Sequence, residues 1–139
     1  MPDTNRYLGL DLEDYATDPP LEEQDDRYWS RTNIIRELLP DTADVEVYST
    51  GGYQGEMGFV IGLDGYYWLI KETYGSCSFC DGLLGADDSL EYGRSILRNA
   101  YAFDSEADAR AFLREQDGYI WDRIKNEMAG LLDEVEPYE

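Results

Sequence analysis

Residues 55–73 read GEMGFVIGLDGYYWLIKET, with Asp64-Gly65 set between two apolar runs. A two-residue hairpin turn of the primed type needs positive φ at both central positions, which Asp and Gly tolerate and bulky residues resist. That local requirement predicts antiparallel strands over 56–63 and 66–73, with Met57, Phe59, Ile61 and Leu63 alternating onto one face of the first. The alternating ADVEVYS upstream predicts a third strand at 44–50. STGGYQG between these strands reads as a flexible connection rather than a phosphate cradle, because a strand and not a helix follows it.

The flanks carry helical periodicity. Tyr28, Ile34, Ile35, Leu38 and Leu39 recur near helical spacing until Pro40 stops the run, predicting a helix over 27–39. DDSLEYGRSILRN reads as a short helix and AYAF as an edge strand. Ser105 with Asp108 resembles a capping box, Glu106 and Arg110 stand at i,i+4, and Gly118 suits a C-terminal stop, so 105–116 is expected to be helical. Trp121, Ile124, Met128, Leu131, Leu132 and Val135 form the stripe of a last helix at 119–134. The expected fold is a single α+β domain spanning 1–139. Its three- or four-stranded antiparallel sheet is packed by helices, principally the first and last, behind an acidic arm over about residues 1–26. Met57, Phe59 and Ile61 are expected to share one core with Trp121, Ile124 and Met128.

Charge narrows the partners. The chain has 31 acidic residues against 11 basic ones, net −20, where a small soluble domain carries a magnitude of roughly 2 to 8. Such a field repels nucleic-acid backbones and anionic membranes and favours cationic surfaces, above all those shaped to hold phosphate. Salt adaptation is the rival explanation, and only Lys71 and Lys125 accompany the arginines. No run approaches the eighteen or so apolar residues of a membrane span, and MPDTNRYLGL has neither a basic nor an apolar leader region, so the expected location is the cytoplasm. The arm GLDLEDYATDPPLEEQDD supplies the candidate partner-binding residues Asp11, Glu13, Asp14, Asp18, Glu22, Glu23, Asp25 and Asp26. Tyr53 joins them as an uncommitted aromatic, with Tyr7, Tyr15, Tyr28 and Trp29 in the same class. Trp68 and Trp121 are expected in the core.

Cys77 and Cys80 stand in a C-x-x-C spacing, and the chain has no histidine. A structural zinc site needs about four ligands, so these two would have to recruit Asp81, Asp87 or Asp88, or the thiolates of a second chain. A redox couple needs a depressed thiol pKa, which the neighbouring Asp81 and the overall negative field oppose. Gly75, Ser76, Cys77, Ser78, Cys80 and Asp81 therefore read first as a structural loop, with no metal and no cofactor expected. Absence of histidine also removes Ser-His and Cys-His nucleophile pairs, and no Gly-rich phosphate loop precedes a helix. An enzyme is not expected.

Two stretches, Tyr53-Gln54-Gly55-Glu56 and Tyr74-Gly75-Ser76-Cys77-Ser78, followed by Cys80-Asp81, resemble an element that recurs in uncharacterised bacterial and phage proteins. The resemblance covers about 30 residues and brings no assigned activity. It implies that Tyr53–Glu56 and Gly75–Asp81 form one local unit. Together these readings lead to the expectation of a non-enzymatic acidic binding protein. It would act as a DNA mimic or inhibitor of a nucleic-acid-binding enzyme or host-defence complex, of the kind phages direct against defence. An immunity-type or regulatory protein that binds a basic toxin, a salt-adapted domain of ordinary function and a C-x-x-C metal or redox protein are the alternatives.

Overall fold

The computed structural model describes residues 8–17, 31–51, 55–75 and 89–137. Helix α1 (Arg31–Leu38) leads into strands β1 (Asp44–Ser49), β2 (Gly55–Leu63) and β3 (Tyr66–Tyr74). Helix α2 (Ser89–Arg98), strand β4 (Tyr101–Phe103), and helices α3 (Glu106–Glu115) and α4 (Tyr119–Leu131) follow. The strands form one four-stranded sheet in the order β1-β2-β3-β4, every neighbouring pair antiparallel. This is the expected single α+β domain, with AYAF as its edge strand. Asp64 and Gly65 have φ of 58° and 81°, the geometry the hairpin reading requires. No helix among the described residues is long and apolar enough to cross a membrane.

Strand alternation sends β2 side chains to two different layers. Phe59, Ile61 and Leu63 pack with Trp68 and Ile70 of β3 against Ile34, Ile35 and Leu38 of α1 and Leu90, Ile96 and Leu97 of α2. Val60 and Leu69 point the other way, with Phe103, into a second cluster built from Phe112 and Leu113 of α3 and Trp121, Ile124 and Met128 of α4. The expectation of one shared core is therefore corrected: Met57, Phe59 and Ile61 lie on the α1–α2 face, and Trp121, Ile124 and Met128 on the other. The sequence hid the second face because β2 offers it two glycines. A Cβ on Gly58 would collide with the Met128 side chain, and one on Gly62 with the backbone carbonyl of Glu136. Glycine there lets α4 and the segment after it lie directly on the sheet.

Capping follows local chemistry. Ser105 precedes α3, and its hydroxyl accepts a hydrogen bond from the Asp108 amide at 3.1 Å. Gly118, expected to stop that helix, instead stands at the start of α4 with φ 106°, while Gln116 closes α3. The hairpin tip is fastened from outside. The Gly65 amide donates to the Pro137 carbonyl at 3.1 Å, and the Glu136 amide to Asp44 Oδ2 at 3.0 Å. Trp68 donates from its indole nitrogen to the Leu63 carbonyl at 3.2 Å, satisfying the one polar atom of a fully buried ring.

Gly62→Ala should cost about 1 to 3 kcal/mol, because the atom it strikes is backbone rather than a pliant side-chain end. Gly130→Ala, on the open face of α4 with nothing within 4 Å of the new methyl, should stabilise by about 0.5 to 1 kcal/mol through helix propensity. Urea unfolding of both variants checks the pair.

Candidate functional site

Gly55 and Glu56, where β2 begins, meet Thr73 and Tyr74, where β3 ends. Gly55 pairs with Tyr74 and Glu56 with Thr73. Gly55 has no room for a side chain, since a Cβ there would sit 2.7 Å from the Tyr74 hydroxyl oxygen and closer still to Thr50 Oγ1. The Tyr74 hydroxyl accepts a hydrogen bond from Ser49 Oγ at 3.1 Å, and the Glu56 amide donates to Thr50 Oγ1 at 3.0 Å. The Glu56 carboxylate is buried against the second layer, where Arg123 of α4 pairs with it and lies 5.5 Å from the centroid of the Tyr119 ring. That carboxylate raises the Arg123 pKa. Gly55, Glu56 and Tyr74 thus tie the start of β2 and the end of β3 to β1 and α4.

A polar group sits at the same end of the sheet, on the α1–α2 face. Arg31, 5% exposed at the start of α1, places its Nε 3.4 Å from Glu72 Oε2 of β3. Tyr92 of α2 donates its hydroxyl proton to the same oxygen at 3.2 Å and accepts from Arg31 at 3.4 Å, with the guanidinium carbon 5.6 Å from its ring centroid. Burial raises the Tyr92 pKa, and the hydrogen bond from Arg31 partly offsets it. Three elements remote in sequence are joined here through one carboxylate, beside the point where the chain leaves β3 for the cysteine segment.

These residues were missed in the sequence, yet a signal was present. Arg31 occupies the first place of the stripe Arg31, Ile34, Ile35, Leu38, and Glu72 continues the alternation Trp68, Ile70, Glu72. A charged residue in phase with a buried stripe marks a buried ion pair more often than an accident of spacing, because an unpaired buried charge is costly.

The candidates from the acidic arm are placed as follows. Asp11 accepts a hydrogen bond from the Glu13 amide at 2.9 Å and caps a short 3-10 turn over Leu12–Tyr15. Glu13 pairs with Arg98 of α2 at 2.8 Å, and that hydrogen bond lowers its pKa while raising that of Arg98. Asp14 is exposed. Tyr15 is committed to the fold, its ring edge-on to Trp68 with centroids 5.5 Å apart and its hydroxyl donating to Asp64 at the hairpin tip at 2.6 Å. Asp18, Glu22, Glu23, Asp25, Asp26 and Tyr53 lie outside the described residues, as do Ser76, Cys77, Ser78, Cys80 and Asp81 of the loop; Gly75 is buried at its near end. Among the described residues no group of three or more candidate metal ligands comes together. Comparison with protein-family models, with curated proteins and with solved structures finds no match to the chain.

Two outcomes follow from this geometry. Glu72→Leu, which takes a carboxylate from the buried Arg31 guanidinium, should cost up to about 3 to 5 kcal/mol, and adding Arg31→Met should recover much of the loss, since removing both charges spares the desolvation; denaturant melts of the single and double variants decide it. The Asp64 hydrogen bond holds the Tyr15 pKa up to about 12. The neutral phenol is the favoured form in the folded protein, so its stabilisation is complete below the ordinary tyrosine pKa of about 10 and is lost as pH rises through about 12. Burial also raises the Tyr67 and Tyr92 pKa values, so ultraviolet titration should show several late-ionising tyrosines, of which Asp64→Asn moves the Tyr15 component alone toward the ordinary value.

Proposed function

We propose that the protein is a non-enzymatic acidic binding protein whose carboxylate-rich surface engages the positively charged site of another macromolecule, as a DNA mimic or inhibitor of a nucleic-acid-binding enzyme. One observation supports this reading: six of the nine described cations are paired with carboxylates of the same chain. Arg31 holds Glu72, Arg94 and Arg98 hold Glu91, Arg98 also holds Glu13, Arg110 holds Glu106 and Asp133, Arg123 holds Glu56, and Lys125 holds Asp122. Asp14, Asp104, Asp117, Glu127, Glu134 and Glu136 are exposed, with no cation in ion-pair range among the described residues.

The surplus negative charge is therefore outward and uncompensated, and it accelerates and orients encounter with a cationic surface while repelling nucleic acid itself. A protein that binds phosphate backbones presents such a surface, and a carboxylate array offers it anions without a nucleotide chain.

The protein, immobilised, should capture DNA-binding proteins from lysate near 50 mM salt and release them near 500 mM, where the screening length falls to a few ångströms. Duplex DNA should displace the same proteins. Joint neutralisation of Asp104, Asp117, Glu127, Glu134 and Glu136 to Asn or Gln should weaken capture by about tenfold or more. Indifference to both DNA and neutralisation refutes the proposal. A melting temperature that climbs steeply in molar salt, with no such capture, assigns the acidity to salt adaptation instead.

A further inference from the structure

β3 outruns the strand that covers it. Its nine residues end at Tyr74, but β4 pairs only with Tyr67, Trp68 and Leu69. Backbone alternation shows which peptide groups are left on that edge. The Leu8 amide donates to the Ala102 carbonyl at 2.7 Å, so Ala102 turns its peptide groups away from β3 and its neighbours Tyr101 and Phe103 turn theirs toward it. Their partners Leu69 and Tyr67 face β4, and the period of two carries the same orientation on to Lys71 and Thr73, past the end of β4. The Thr73 amide is satisfied by Glu72 Oε1 at 2.9 Å. The Lys71 amide and carbonyl have no strand opposite them among the described residues.

A cleft of about 410 Å³ opens at this place, lined by Leu8, Gly9, Leu10, Lys71 and the turn Arg98–Tyr101. Its size falls in the range of binding clefts, roughly 300 to 1,000 Å³. Leu10, 38% exposed, adds an apolar wall. A lysine on a sheet edge often guards against pairing. Here, however, the Lys71 ammonium lies 5.1 Å from the centroid of the Trp121 ring, on the α4 face of the sheet, which leaves the lateral edge open among the described residues.

We infer that this edge is a strand-addition site: an extended segment of a partner protein, with a carboxylate opposite Lys71, pairs along Lys71–Thr73 and seats neighbouring side chains in the cleft. Main-chain pairing supplies affinity in such sites and the flanking pockets supply selectivity. The residue opposite Lys71 projects on the same face as Lys71, so opposite charge is favoured there and like charge disfavoured. Lys71 has no carboxylate in ion-pair range among the described residues to compete. A second copy fits poorly, because antiparallel pairing centred on Lys71 would set that residue against itself and bring two chains of net −20 together. The inference is independent of the acidic-surface reading above, since it concerns a main-chain edge.

Amide exchange and nitrogen-15 titration on the full chain test it with three probes: a capped seven-residue β-prone peptide with a central glutamate, its twin with a central lysine, and a twin N-methylated on alternate amides. In the free protein the Lys71 amide should exchange about 100-fold faster than that of Leu69, as expected for an open edge beside a paired one. The glutamate peptide should saturably shift the Lys71, Thr73 and Arg98–Tyr101 amides and slow exchange at Lys71. The lysine twin should bind about threefold or more weakly, and Lys71→Glu should reverse that order. A Lys71 amide already protected in the free protein, peptide shifts that map elsewhere or never saturate, or an N-methylated twin that binds equally well each overturns the inference. Protection at Lys71 that grows with protein concentration alone would overturn it in favour of self-pairing.

Discussion

Strand β2 must be buried on both faces at once, and the remaining architecture answers that demand. Its odd-numbered side chains fill the layer under α1 and α2, while the even positions Gly58, Val60 and Gly62 meet α4 and the segment behind it. A side chain at either glycine would hold the second layer off the sheet and leave Val60, Leu69 and Phe103 without their cover. The hairpin, the order of the helices around it and the fastening of its tip by Asp44, Gly65 and Pro137 all serve one doubly covered strand.

How legible this was in the sequence depended on the range of the interaction. Asp64-Gly65, the alternation of β1 to β3 and the stripe of α4 are local patterns, and each was readable from its own residues. The partition into two layers was not, because a glycine contributes no apolar signal to the face it opens. Gly118 was misassigned for a related reason: a glycine near a helix boundary fits the end of one helix and the start of the next, and only the path of the chain decides. The Arg31, Glu72 and Tyr92 group was half legible, in that the stripes put the two charged residues on buried faces. Which charges meet across 41 residues is a tertiary fact.

Four of the arginines share a placement. Arg31 links α1 to β3, Arg98 links α2 to the segment before α1, Arg110 links α3 to the residues after α4, and Arg123 links α4 to β2. Each lies at a seam between elements distant in the chain. A planar guanidinium with several fixed donors suits that work better than a lysine ammonium, which gives the arginine preference of the sequence a structural use. With four positive charges paired at seams, exposed carboxylates such as Asp104, Asp117 and Glu127 are left with no cation in ion-pair range among the described residues.

The fastening of the hairpin tip also sets a clock. The β2–β3 hairpin can form within about 1 to 10 μs of being free to do so, but Asp44 waits for the Glu136 amide, 92 positions further along. At ribosomal speeds of about 5 to 20 residues per second, that separation is several seconds of synthesis. After β3 is made, Val60 and Leu69 face outward until Phe103, α3 and then α4 emerge to cover them. A nascent chain of this design carries a half-clad sheet until its own last helices arrive.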